Sequence, residues 1–184
     1  MYVDIKDLFN EFCKYLDGKL RWSDKSSVWT HTVFGFFTEY NRKQHVPYVE
    51  VKEHMRIDYI WRLDPSKYSR NDIVLAVEHE NEVNNIEKLL SEEIRHLIDI
   101  KAFNKVGIFY INQGDEKDFI NKISKAIKCS TPYTWENYLI ILGYRTRKKK
   151  KLAILFKALF LNEKGELVTQ EERVIFQRER KEIN

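Results

Sequence analysis

Residues 73–80 read Ile73-Val74-Leu75-Ala76-Val77-Glu78-His79-Glu80, five apolar residues that pass without a turn into three polar ones. An unbroken apolar run of this length fits a strand covered on both faces, which arises when helices lie above and below a sheet. Side chains alternate along a strand, so Glu78 and Glu80 share one face and His79 takes the other. Downstream, Ile86, Leu90, Ile94, Leu97 and Ile98 recur at helical spacing, with Asn84 and Glu87 placed as a capping box. The next apolar stretch, Lys105-Val106-Gly107-Ile108-Phe109-Tyr110-Ile111, reads as a second strand. A strand, a helix and a strand at this spacing imply parallel pairing through a right-handed crossover, so the predicted class is α/β.

Working outward, Tyr48-Val49-Glu50-Val51-Lys52 alternates as a strand after Pro47, and Arg56-Ile57-Asp58-Tyr59-Ile60-Trp61 forms its expected antiparallel neighbour before the turn-like Leu63-Asp64-Pro65-Ser66. Two helices precede them. One carries Ile5, Leu8, Phe9, Phe12 and Leu16 and stops near Gly18. The other has Ser26 or Ser27 as its cap, a stripe of Trp29, Val33, Phe36, Phe37 and Tyr40, and Glu39 near its end. After the second parallel strand, Asp115 opens a helix carrying Phe119, Ile120, Ile123 and Ile127. From Trp135 the pattern turns β-rich: strands over 138–144 and 152–161, a turn at Asn162-Glu163-Lys164-Gly165, and a weaker segment over 174–176. The prediction is one domain over 1–184, with a core at about 26–128 and a β-rich elaboration at about 133–184.

Length and composition narrow the function. The 184 residues, 43% hydrophobic and 33% charged, suit one domain with a buried core and exclude a disordered or fibrous chain. No apolar run reaches the roughly 20 residues that cross a bilayer, and Met1-Tyr2-Val3-Asp4-Ile5-Lys6 lacks the layout of a signal peptide. An intracellular, cytoplasmic protein that does not engage a membrane is therefore expected. Cys13 and Cys129 are too few for a disulfide framework and are expected to be reduced. The five histidines show no HxxxH pair, which argues against zinc, and the absence of GxxxxGK[ST] and GxGxxG argues against a nucleotide cofactor.

Charge is unevenly spread. Residues 1–100 carry 14 Lys and Arg against 18 Asp and Glu, whereas residues 101–184 carry 18 against 10. The basic run Arg145-Thr146-Arg147-Lys148-Lys149-Lys150-Lys151 suits a clamp on a phosphate backbone; it equally suits a solvated hairpin tip. Acids concentrate elsewhere. Asp58 interrupts an apolar strand, where a charge is costly without compensation, and Glu78 and Glu80 lie on a nearby strand. Three converging carboxylates repel one another unless a hard divalent cation such as Mg2+ neutralises them. The acids also suit the mouth of a helix N-terminus, a reading that accounts for Glu80 and Glu82 better than for Asp58.

The order helix, strand, strand with Asp58, apolar strand ending in Glu78-x-Glu80, helix, strand resembles the PD-(D/E)xK nuclease superfamily over about residues 26–128. The resemblance implies a restriction-endonuclease-like core: a central mixed β-sheet flanked by helices. It matches Asp58 and Glu78 to metal ligands and Glu39 to an accessory acid on the first core helix. Ile57 stands where the family's proline would be, and Glu80 stands in place of its lysine, so Glu80 becomes a ligand or positions the nucleophile. Lys52 is then the candidate for a displaced ammonium group. The implied function is a Mg2+-dependent DNA endonuclease, with Mn2+ as a substitute, acting as a homodimer on DNA held by Arg145, Arg147, Lys148, Lys149, Lys150 and Lys151. The alternative is a non-catalytic nucleic-acid-binding or assembly module that kept the fold and lost the lysine.

Overall fold

The computed structural model describes residues 3–45, 47–67, 72–81, 85–130, 135–148 and 151–177. Seven strands form one sheet in sequential order: β1 (Val49–His54), β2 (Ile57–Arg62), β3 (Ile73–Glu80), β4 (Ala102–Tyr110), β5 (Asn137–Lys148), β6 (Lys151–Leu161) and β7 (Leu167–Phe176). β3 pairs β4 and β4 pairs β5 in parallel; every other neighbouring pair is antiparallel. The apolar run therefore lies inside the sheet, with Val74 to Val77 all buried.

Helices α1 (Ile5–Leu16) and α2 (Ser26–Arg42) cover one face. The Asp4 carboxylate opens α1 by accepting from the backbone N–H groups of Lys6 and Asp7, at 2.9 and 3.1 Å. That cap is worth about 1 kcal/mol. Leu8, Phe9, Phe12, Val33 and Phe37 then pack on Tyr59, Trp61, Val77, Ile108 and Phe156. Trp61 is fully buried and stacks against both Tyr40 and Tyr48. No side chain caps α2: Lys25 occupies the cap position and Ser26 is already helical, so the helix begins at least one residue earlier than a cap at Ser26 or Ser27 would set it.

The opposite face is covered by the β3 to β4 connection and by α5 (Glu116–Lys128). The expected single helix over the connection is three pieces: α3 (Ile86–Leu89), a π-helical turn (Leu90–Ile94) and α4 (Arg95–Asp99). Asn84 lies outside the described residues, and the Asn85 side chain supplies the cap by accepting from the Lys88 N–H. Leu89, Ile94, Leu97, Phe119 and Ile123 meet Ile60, Ala76, Phe109, Ile140 and Leu142 in this second core.

The C-terminal part is more extensively stranded than its pattern suggests. β5 and β6 form one long hairpin, so the basic residues at 145–148 and 151 continue the strands rather than replace them. β7 runs over ten residues although its sequence looks weak. It is an edge strand, mostly exposed, and is ordered by backbone pairing with β6 and by Ile175 in the core beneath α1. Gly165, with φ of +72°, closes the turn between β6 and β7 where a Cβ would strike the Ser124 carbonyl of α5. Cys13 and Cys129 are both free thiols, as expected. No helix of the described residues is long and apolar enough to cross a membrane.

Lys105, expected at the start of a strand, sits well within β4 and is fully buried. Its ammonium donates to the Ile98 carbonyl at 3.1 Å and to the Tyr138 hydroxyl at 3.2 Å, and it pairs with Glu136 at 2.8 Å. Burial pushes its pKa down, and the Glu136 carboxylate opposes that shift. Removing one partner of such a pair leaves a buried charge, whereas removing both with apolar replacements is tolerated. Lys105→Ala should therefore lower unfolding stability by about 3–5 kcal/mol in urea melts. Lys105→Met combined with Glu136→Leu should recover most of that loss.

Candidate metal centre

Tyr59 pairs with Val77, and one step along the antiparallel ladder brings Asp58 opposite Glu78. Both project to the face covered by the β3 to β4 connection, as their neighbours Ile60 and Ala76 do. Glu80 ends the strand on the same face. An Asp58 carboxylate oxygen accepts from the His79 backbone N–H at 2.9 Å, which anchors the side chain to β3. The His79 ring occupies the other face, as alternation predicts, with Nε2 3.3 Å from the Tyr110 hydroxyl and the ring edge-on to Phe34. Burial pushes its pKa down to about 3, so His79 is neutral.

Glu78 is only 1% exposed. Its Oε1 has no hydrogen-bond partner among the described residues. Burial, then the charges of Asp58 and Glu93, push its carboxyl up to about 10. Glu93 is raised as well, first by burial and then by Asp58 and Glu80. Four acids thus act on one another across β2, β3 and the π-helical turn. One imidazole joins them: His96 Nδ1 lies 3.7 Å from Glu78 Oε1 and 4.0 Å from Glu93 Oε2. Glu78, Glu93 and His96 each direct one ligand atom into a common space within 4.8 Å.

Carboxylate oxygens together with an imidazole nitrogen are a donor set suited to a divalent ion, and the unpartnered Glu78 oxygen fits a site that a cation completes. Glu93 and His96 escaped the sequence reading, which sought histidine pairs four apart. The available signal was Glu93-x-x-His96, an acid and a histidine on one helical face, beginning three residues downstream of Leu90 in a stretch otherwise read as core.

Two expected members are elsewhere. Lys52 pairs with Tyr59, so it shares the α2 face and points away from Asp58 and Glu78. Glu39 projects toward α1, beside Tyr15, Lys14 and Lys43, because α2 packs on that same far face. Within the sheet, α2 engages Glu50 of β1, which accepts from Thr38 at 3.1 Å and from Asn41 at 2.8 Å.

The basic residues lie at the same end of the sheet as the carboxylates. In the parallel registers Glu80 aligns with Phe109 and Phe109 with Leu142, so Arg145 is three residues beyond the Glu80 level on β5. That places it about 10 Å farther along the sheet and about 10 Å to the side. Arg145, Arg147, Lys148 and Lys151 are exposed or partly exposed; Lys149 and Lys150 lie outside the described residues. The chain matches no protein-family model, and no curated protein is significantly similar to it.

A carboxyl whose pKa is raised in the folded state binds its proton more tightly there than in the unfolded chain. Its contribution to stability is complete below the ordinary value of 4.5 and is lost as pH rises toward about 10. Thermal melts in the absence of divalent ions should therefore show the melting temperature falling between pH 5 and pH 8. Glu78→Gln should remove most of that decline. Mn2+ should raise the pH 8 melting temperature of the unsubstituted protein while leaving Glu78→Gln nearly unmoved.

Proposed function

We propose that the chain is a metal-dependent endonuclease that hydrolyses phosphodiester bonds in DNA, built on a restriction-endonuclease-like core. The observation that carries this reading is the convergence, at one end of the sheet, of a buried acidic cluster in need of a cation and a basic hairpin suited to a polyanion. The order α2, β1, β2, β3, helix, β4 also agrees with the resemblance, as do Asp58 on the second of those strands and Glu78-x-Glu80 on the third.

In this reading Asp58 and Glu78 would hold the cation, which would supply Lewis-acid stabilisation of the scissile phosphate and a more acidic water. Asp58 is steadied for that task by the His79 N–H. Glu80, at the more open end of the strand, orients the attacking water and accepts its proton. Lys148 and Lys151, which alternation sets on the acids' face of the hairpin, grip the backbone beside the cut, and Arg145 and Arg147, on the opposite face, add longer-range attraction, all without reading sequence. A homodimer would present two such centres, one for each strand.

One observation favours a second reading. With Lys52 on the far face, the ammonium group usual beside the metal in the superfamily the chain resembles is not supplied by β1, as suits a binding module that has ceased to cleave.

Plasmid, junction, flap and single-stranded DNA incubated with Mg2+ or Mn2+ should be cut, with Asp58→Asn and Glu78→Gln reduced to background. Lys52→Ala should keep the original single-turnover rate. Failure to cut any substrate by a folded sample that still binds DNA would favour the module. Replacing Arg145, Arg147, Lys148 and Lys151 with alanine should weaken DNA binding and flatten its salt dependence by about 0.9 in log–log slope for each phosphate no longer neutralised. Light scattering on the DNA complex should return the mass of a dimer.

A further inference from the structure

The π-helical turn Leu90–Ile94 sets Leu89 and Ile94, five residues apart, on the same sheet face, where a regular helix would hold them about 140° apart. What the turn accompanies is the presentation of Glu93 and His96 toward Glu78 from a single helical connection. The three groups are too far apart to satisfy one another. At 3.7 and 4.0 Å, His96 Nδ1 is beyond hydrogen-bond reach of either carboxylate, and both Nδ1 and Glu78 Oε1 are buried atoms without a hydrogen bond among the described residues. Such separations do suit ligand atoms sharing one ion: donors each about 2.1 Å from a common centre stand roughly 3–4 Å apart.

We propose that Glu78, Glu93 and His96 form a mixed carboxylate and imidazole site that selects a divalent transition ion, represented by Mn2+, over Mg2+. Mg2+ is hard, holds its waters and prefers oxygen donors, whereas imidazole nitrogen suits first-row transition ions. His96 is the discriminating residue, since Glu78 and Glu93 serve either kind of ion. Its side chain is 22% exposed, which leaves the site an approach from solvent while Glu78 stays sealed within the sheet. The inference deepens the hydrolytic reading by naming the ion, and rests on that reading only for what the ion would do.

Titrating the metal-free protein with Mn2+ and with Mg2+, by calorimetry and by loss of the free Mn2+ paramagnetic signal, tests the site with no nucleic acid present. Mn2+ should bind at least about tenfold more tightly than Mg2+. His96→Gln should weaken Mn2+ by at least about tenfold, a loss that removal of even an outer-sphere partner produces, while leaving Mg2+ nearly unchanged. Glu93→Gln should weaken both ions. Circular dichroism establishes that each variant is folded. His96→Asp provides a test that misfolding cannot mimic: exchanging nitrogen for carboxylate oxygen should improve Mg2+ binding relative to Mn2+. Equal affinity for the two ions, Mn2+ binding indifferent to His96→Gln, or a folded protein that binds neither ion would overturn the proposal; in the last case His96 serves only as a counter-charge to the acids. Selective Mn2+ binding without cleavage of any DNA would sink the hydrolytic reading and leave this site standing.

Discussion

A carboxylate buried on the central strand of a sheet must be neutralised, and Glu78 is such a group. Its neighbours make the demand stronger. Asp58 faces it across the ladder, Glu93 approaches from the helical connection, and Glu80 adds its charge at the end of the strand. Water does not reach Glu78, because its face is packed by Ile60, Ala76, Ile94 and Leu97. Without an ion, Glu78 is neutralised by retaining its proton, and packing elsewhere holds the crowded acids together: the aromatic core under α1 and α2 on one face and the Leu and Ile layer beneath α5 on the other. That cost at one place, supported by ordinary packing around it, is characteristic of sites selected for chemistry rather than stability.

A second buried charge in the same sheet provides the contrast. Glu136 has its own ammonium, Lys105 at 2.8 Å, along with a hydroxyl from Tyr138. That cluster balances itself and is structural. Among the described residues, Glu78 has an imidazole at 3.7 Å to set against several acids. Each buries a glutamate almost completely and leaves it one oxygen without a hydrogen bond among the described residues, but the charge of Glu136 is balanced by Lys105, whereas the acids around Glu78 fit completion by an added cation.

Topology determines what surrounds the incomplete one. Because β3, β4 and β5 are parallel, their C-terminal ends coincide, and the hairpin from β5 to β6 extends beyond the carboxylates on the same side of the molecule. Had β4 and β5 been joined by a tight hairpin instead of through α5, the basic residues would lie at the opposite end of the sheet. Helix α5 is thus what brings acid and base to one end, and Lys157 with Glu116 ties it to β6.

Local chemistry was enough to read a good deal of this. The apolar run at 73–77 could only be an interior strand, period two put Glu78 and Glu80 together and His79 apart, and the spacing to residues 105–111 called for a parallel crossover. The crowding of Asp58 and Glu78 on one face was legible for the same reason, since an acid in an apolar strand is anomalous wherever it occurs. Tertiary structure decided the rest. Lys52 and Glu39 were assigned to the acids by their elements, but register turned Lys52 to the far face and the packing of α2 took Glu39 with it. Glu93 and His96 lay in what reads as an ordinary amphipathic helix, and the packing of Ile94 and Leu97 on the sheet is what brings them beside Glu78. Alternation within a strand is a property of its own backbone, whereas register between strands and the choice of sheet face for a helix depend on packing between residues far apart in the chain.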